Sequence, residues 1–163
     1  IVNPLRISDD IKNELEDSLI LCYTGFNHDS GKIHNDQKSK MNNIKQKKYA
    51  EVSKDIAHEM KSKLLKGQMD NFGELLGKAW KTKKKFSSKI TNKLLDDIYD
   101  YGIKHGALGG KLLGAGSGGF FLFYVPTYSK VKLMNALTKK GLQMETITFD
   151  SAGLRRWITK KKI

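Results

Sequence analysis

Seven of the fourteen residues from Gly106 to Gly119 are glycine. Glycine loses more conformational freedom on folding than any other residue, and a turn between Leu113 and Phe120 needs only one or two. Missing Cβ atoms let a backbone come close to another group. They also permit the positive φ values that aim successive N–H groups at one point, which makes an anion nest. Gly114, Ala115, Gly116, Ser117 and Gly118 are therefore the candidate approach to a phosphate or a sugar. Their main-chain amides would be the donors, and the Ser117 hydroxyl could donate to phosphate or touch a metal-bound water. The plainer alternative is a tight hairpin with close packing of strand on helix.

Two nucleotide motifs fail at this segment. A Walker loop needs Ser or Thr after its lysine, and Lys111 is followed by Leu112. The letters Gly114-Ala-Gly-Ser-Gly-Gly119 match a dinucleotide fingerprint, but an apolar strand follows where a helix is required. Other residues with chemistry to offer are few. Lys83 and Lys84 leave the end of a predicted helix and are candidates for a substrate phosphate; the helix dipole is an equally good reason for them. Tyr23 and Thr24 end a predicted strand and could line a sugar pocket, with a core tyrosine as the alternative. Trp80 falls on an apolar stripe and reads as core. His28, His34, His58 and His105 lack metal-ligand spacing, so no metal site is expected. Asp9-Asp10 and Asp96-Asp97 are adjacent pairs, which point apart on a helix and do not form a paired acid and base.

The elements that must position these groups follow from periodicity. Ser8-Asp9-Asp10 is a helix start, and Leu19 to Thr24 reads as a buried strand ended by Gly25. Ser30-Gly31 marks a turn, and helix is expected from about 31 to 66, with Tyr49, Val52, Ile56, Met60 and Leu64 on one stripe. A second helix, about 70–82, carries Phe72, Leu75, Leu76, Ala79 and Trp80; a third, from a Thr91 cap to His105, carries Leu94, Leu95, Ile98 and Tyr101. Lys111 to Leu113 and Phe120 to Val125 read as strands, about 128–140 as a helix using Val131, Met134 and Leu137, and Glu145 to Phe149 as a strand. Leu154 to Ile158 is a possible edge strand. Strand, helices, strand, strand, helix, strand is the ferredoxin-like split βαβ order with an enlarged helical first crossover. The expected fold is α+β: a four-stranded antiparallel sheet with helices on one face.

Composition sets the outer limits. The 163 residues suit one domain, which can bury roughly 70% of its unfolded surface. Hydrophobic residues at 39% and charged residues at 29% exclude a collagen-like or wholly disordered chain. Thirty Lys and Arg against 17 Asp and Glu give +13, a field that attracts nucleic acid, anionic lipid, nucleotides or sugar phosphates. The basic runs at 45–48, 81–85 and 160–162 are dispersed, as solvated faces and a tail would be. A lone cysteine, Cys22, excludes an intramolecular disulfide and suits a reducing compartment. The longest apolar run, Phe120 to Val125, falls well short of the ~18 residues of a membrane span, so no membrane partner is expected. Ile1 to Arg6 has no signal-peptide character, and without an initiator Met the chain reads as a fragment or processed product. An RNA-recognition module is the rival from another class. Residues 117–124 lack its basic lead, and Gly119 stands where it needs a stacking aromatic, so no specific nucleic-acid partner is expected.

The run Gly106 to Gly119, continued by Phe120, resembles the third motif of the GHMP kinases (galactokinase, homoserine, mevalonate and phosphomevalonate kinases), which lies in their ferredoxin-like C-terminal domain. Tyr23-Thr24-Gly25 with Asp29-Ser30, Trp80 to Lys84, Ile98-Tyr99, Phe120 to Tyr124 and Gly153-Leu154-Arg155 resemble the sugar-kinase branch, so the resemblance covers nearly the whole chain. Gly25 to Ser30 departs from it, with His28 where the family often has Arg. The resemblance implies that residues 1–163 are one C-terminal domain of a cytoplasmic kinase, with an ATP-binding domain upstream. It implies ATP- and magnesium-dependent transfer of phosphate to the anomeric hydroxyl of a heptose 7-phosphate, in surface-glycan synthesis, or else to a galactose- or fucose-type sugar. It also implies that the phosphate loop, the magnesium-binding acid and the Asp base lie in the upstream domain. The isolated chain would then be inactive, and a sheet edge left bare could drive self-association.

Overall fold

The computed structural model describes residues 3–26, 43–150 and 152–157. Helix α1 (Asp9–Ser18) is capped by Ser8, whose hydroxyl accepts from the Ile11 amide, and runs straight into strand β1 (Leu19–Tyr23). Helices α2 (Ile44–Leu65), α3 (Met69–Lys83) and α4 (Lys93–Lys104) form the long crossover, with a 3-10 turn (Lys84–Phe86) after α3. Strand β2 (Gly109–Leu112) turns through the glycine loop into β3 (Phe120–Tyr124); α5 (Thr127–Lys139) and β4 (Gln143–Thr146) follow. The sheet is antiparallel throughout in the order β2-β3-β1-β4, the ferredoxin-like arrangement expected. Leu112 lies opposite Phe121, and Tyr23 lies opposite both Phe120 and Gln143. The β2–β3 loop, the exit of β1 and the entry to β4 therefore share one end of the sheet.

Alternation sorts the strand residues into two faces. Ile20, Cys22, Leu112, Phe121 and Phe123 are fully buried on one face, under Leu95 and Tyr99 of α4 and Leu133 and Leu137 of α5. Trp80 closes this core, edge-on to Phe121 at 5.6 Å, as its place on the α3 stripe predicts. Leu19 and Tyr124 of the other face form a smaller core with Leu15, Met69 and Leu76, and with Met60 and Leu64 packed alongside. The helices thus do not all lie on one face. Helix α3 follows the β2 edge and contributes to both cores, and α2 packs on α3.

Several boundaries differ from the sequence reading for local reasons. Asn92, not Thr91, caps α4, accepting from the Leu95 amide, while the Thr91 hydroxyl donates to Asp96. Leu94 is 56% exposed and Val131 69% exposed; the buried stripes use Leu95, Tyr99 and Gly102 on α4 and Leu133, Ala136 and Leu137 on α5. Strand β2 begins at Gly109, two residues before the expected start, and β4 spans 143–146, not 145–149. Residues 152–157 form no strand, and Leu154 is fully exposed. The predicted helix from 31 to 43, the Ser30-Gly31 turn and His28 fall wholly or mainly on 27–42, outside the described residues.

The early start of β2 has a packing cause. A Cβ on Gly109 would overlap the Gly73 carbonyl oxygen and lie 2.7 Å from the Gly77 amide nitrogen, so α3 rests on the strand with no side chain between them. Replacing Gly109 with Ala should therefore destabilise the chain by about 3 kcal/mol in urea unfolding. Gly141→Ala, at a position with open space around its Cβ and φ +80°, should cost only about 1 kcal/mol. Equal losses in the two variants would refute this packing account.

Candidate functional site

The neck of the glycine loop is closed by the Leu113 amide donating to the Phe120 carbonyl at 2.8 Å. Between them the backbone takes positive φ at Gly114 (+64°), Gly116 (+125°) and Ser117 (+67°). Ser117 is the one non-glycine with positive φ among the described residues. Such a conformation costs of order 1–3 kcal/mol and persists only where its surroundings impose it. They do so here from two sides. The Ser117 amide donates to the Ile90 carbonyl at 2.7 Å, and the Gly119 amide to the Phe26 carbonyl at 2.9 Å. The Thr24 amide and hydroxyl both donate to the Gly119 carbonyl, at 2.9 and 2.8 Å.

The five candidate loop residues divide accordingly. A Cβ on Gly116 would sit 2.9 Å from the Ile90 main chain, and one on Gly118 2.6 Å from the Phe26 oxygen, so close packing accounts for both glycines. The Ala115 methyl belongs to the main core. Gly114 alone of the three has nothing within 4 Å of its absent Cβ. Among the described residues, the N–H groups of Gly114, Ala115, Gly116 and Gly118 have no main-chain acceptor, whereas that of Ser117 is committed inward.

The two candidate lysines have different surroundings. Lys84 donates to Asp96 at 2.9 Å and lies 5.7 Å from the Trp80 ring centre, so it ties the end of α3 to α4. Lys83 turns the other way, donating to the Leu112 carbonyl at 2.9 Å and the Gly114 carbonyl at 2.6 Å across the exit of β2. Among the described residues it has no carboxylate partner. Burial, and then the positive charge of nearby Lys111, lower its pKa to about 8. Lys111 enters the sequence reading as the residue that breaks a Walker pattern and as the start of a strand, with no role in a site. The signal that could have placed it is its position in a strand one residue before Leu112, which puts it on the face opposite the main core.

Thr24 is buried, and its hydroxyl serves the loop directly. Tyr23 is half-buried on the less covered face, its ring 5.0 Å from that of Phe120. Beside them, Thr24, Phe26, Leu94, Ile98 and Lys140 line a cleft of about 270 Å³. Larger clefts of about 390 and 400 Å³ lie against the helices and include no loop residue. Burial pushes the Cys22 thiol up to about 12, which makes it an inert core group. Phe121 and Phe123, the aromatics that follow Gly119 on β3 inside the main core, are completely buried and cannot stack on a base.

Residues 60–141, from the end of α2 through the loop to α5, match the family model described as GHMP kinases C terminal, and the chain belongs to that family. Over 157 residues it is 34% identical to a D-glycero-alpha-D-manno-heptose 7-phosphate kinase of Campylobacter jejuni, a match covering 96% of this chain and 46% of that protein. The chain thus spans about half the length of the curated relative it matches. Among solved structures, a D-glycero-D-manno-heptose 1-phosphate kinase from Bacteriodes thetaiotaomicron is 29% identical, with TM-score 0.56, over 90% of this chain and 37% of that one. The L. major mevalonate kinase in complex with R-mevalonate shares the fold, with TM-score 0.69 at 24% identity over 75% of this chain and 38% of that one.

The Lys83 environment can be measured directly. In a 13Cε NMR titration its amine should show a midpoint near 8, and Lys111→Gln should move that midpoint upward by removing a like charge. A midpoint near the ordinary lysine value in the unaltered chain would contradict the geometry.

Proposed function

We propose that this chain is the C-terminal domain of a kinase that transfers the γ-phosphate of ATP to the anomeric hydroxyl of D-glycero-D-manno-heptose 7-phosphate. One observation carries the reading. A braced loop of positive-φ backbone occurs in a chain 34% identical to a heptose 7-phosphate kinase, and among the described residues four of its amides have no main-chain acceptor and the ammonium at its mouth has no carboxylate partner. Phosphoryl transfer asks a protein mainly for positioning and for fixed dipoles where charge develops. The amides of Gly114, Ala115, Gly116 and Gly118 supply such dipoles, and the Ser117 hydroxyl adds a donor. Thr24 holds the loop to β1, while Tyr23 offers a ring to the sugar. Lys83 brings positive charge; Lys84, held by Asp96, supports the α3 terminus from behind.

In this reading residues 1–163 form one domain, and an upstream domain holds ATP and magnesium and supplies the catalytic base. Magnesium there would neutralise charge on the transferring phosphate. The chain alone is then inactive. Among the described residues no helix is long and apolar enough to cross a membrane. We place the kinase in the cytoplasm, with the edge of β4, where Gln143, Glu145 and Thr146 are exposed, available for self-association in the domain alone.

The complete kinase should phosphorylate heptose 7-phosphate with a kcat/KM about 100-fold or more above galactose and fucose. Preference for galactose or fucose would overturn the substrate, and no ATP-dependent phosphorylation of any of the three would overturn the reading. Gly114→Asn is the sharper probe of the loop than Gly116→Val, which must displace the Ile90 main chain. Asparagine tolerates the Gly114 backbone, so this variant should stay within about 1 kcal/mol of the parent in stability. Its turnover should fall at least about tenfold, because the new side chain obstructs the approach to the turn. Unchanged kinetics would remove the loop from the site.

A further inference from the structure

We propose that Lys83 and Lys111 together form a clamp for the phosphate monoester already present on the sugar substrate, and so make the kinase select phosphorylated over unphosphorylated sugars. The proposal rests on the kinase reading above and assigns a role to Lys111, which neither residue pattern nor family resemblance marks.

Three features converge on this pair. Lys83 spends two of its three N–H donors on the Leu112 and Gly114 carbonyls, which fixes the direction of the ammonium and leaves one donor. Lys111 immediately precedes the first of those anchor points in the chain, on the sheet face opposite the main core, near enough for its charge to act on Lys83. Among the described residues neither lysine has a carboxylate in ion-pair contact. Two like charges held together and partly out of water are unfavourable unless a third party neutralises them. A phosphate dianion fits that role: it accepts from both ammonium groups at once and matches their summed charge. A neutral hydroxymethyl group on an unphosphorylated sugar does not. The neighbouring cations do not compete for this role, since Lys84 is already paired with Asp96.

The anchoring also couples recognition to the loop. Lys83 holds the carbonyl of Gly114, the first residue of the positive-φ run, so an anion drawn to the ammonium sits against the start of the amide nest. Lys83 is thus both a loop anchor and a ligand contact, and its replacement would confound the two. Lys111 forms no hydrogen bond to the loop among those described and is the cleaner residue to alter.

Two experiments separate this proposal from the kinase reading. In the complete kinase, Lys111→Gln should raise KM for heptose 7-phosphate about ten- to a hundredfold, the scale of one charge-assisted contact. It should leave KM for the same heptose without its phosphate within about twofold. Lys48→Gln, which removes an equal charge from α2, should change neither, and a matching effect there would reduce the result to net charge. Equal changes for both sugars, or none for the phosphorylated one, would overturn the clamp while leaving the kinase reading intact. The second experiment needs no turnover: adding heptose 7-phosphate to the full chain at constant ionic strength should raise the Lys83 titration midpoint, and the unphosphorylated heptose should not. A shift without any kinase activity would retain the anion clamp and sink the kinase reading. No shift, together with no KM effect, would sink the clamp.

Discussion

Helix α3 lies on strand β2 with nothing but main chain at their closest point. Gly109 meets the Gly73 carbonyl and the Gly77 amide, a contact that any larger residue would push apart. The site depends on this approach. It sets α3 along the sheet edge, turns Trp80 into the main core, and carries the last residue of the helix to the exit of β2. From there Lys83 reaches the Leu112 and Gly114 carbonyls.

The loop that follows combines rigidity with unused donors. Its conformation is costly at Ser117, and it is held from two sides by Ile90 and by the Thr24–Phe26 segment. Those braces consume the amides of Ser117 and Gly119, and the remaining N–H groups of the turn are left without main-chain acceptors among the described residues. A loop built only to join two strands would have little need for such bracing. A surface that must present fixed dipoles to a charged group does, because donors already in place cost no reorganisation when charge develops.

Much of the fold was legible because alternation and helical spacing are strong here. The order of elements, the burial of Trp80 and the β1 and β3 strands follow from apolar pattern alone. The misread details share a cause. Leu94 and Val131 fit a period of 3.6, yet stripes centred one residue away pack better, and periodicity cannot choose between neighbouring faces. Glycine content carries two signals, close packing and open approach, that the sequence does not assign to individual glycines. Gly109 and Gly110 serve packing, whereas Gly114 lies in open space. The pairing of Lys84 with Asp96, and the absence of such a partner for Lys83 among the described residues, depends on tertiary placement of α4 that no local pattern carries. Lys111 was invisible for the same reason: its neighbour comes from another element.

The central claim is that amides of the 114–118 turn left without main-chain acceptors among the described residues, and the Lys83 ammonium, meet a phosphorylated sugar. A crystal structure of the complete kinase with heptose 7-phosphate and a non-hydrolysable ATP analogue tests it most directly. The account predicts sugar or phosphate oxygens within about 3 Å of at least one of these amides and of the Lys83 ammonium. A substrate bound elsewhere, with this turn facing only solvent or the other domain's core, would contradict it.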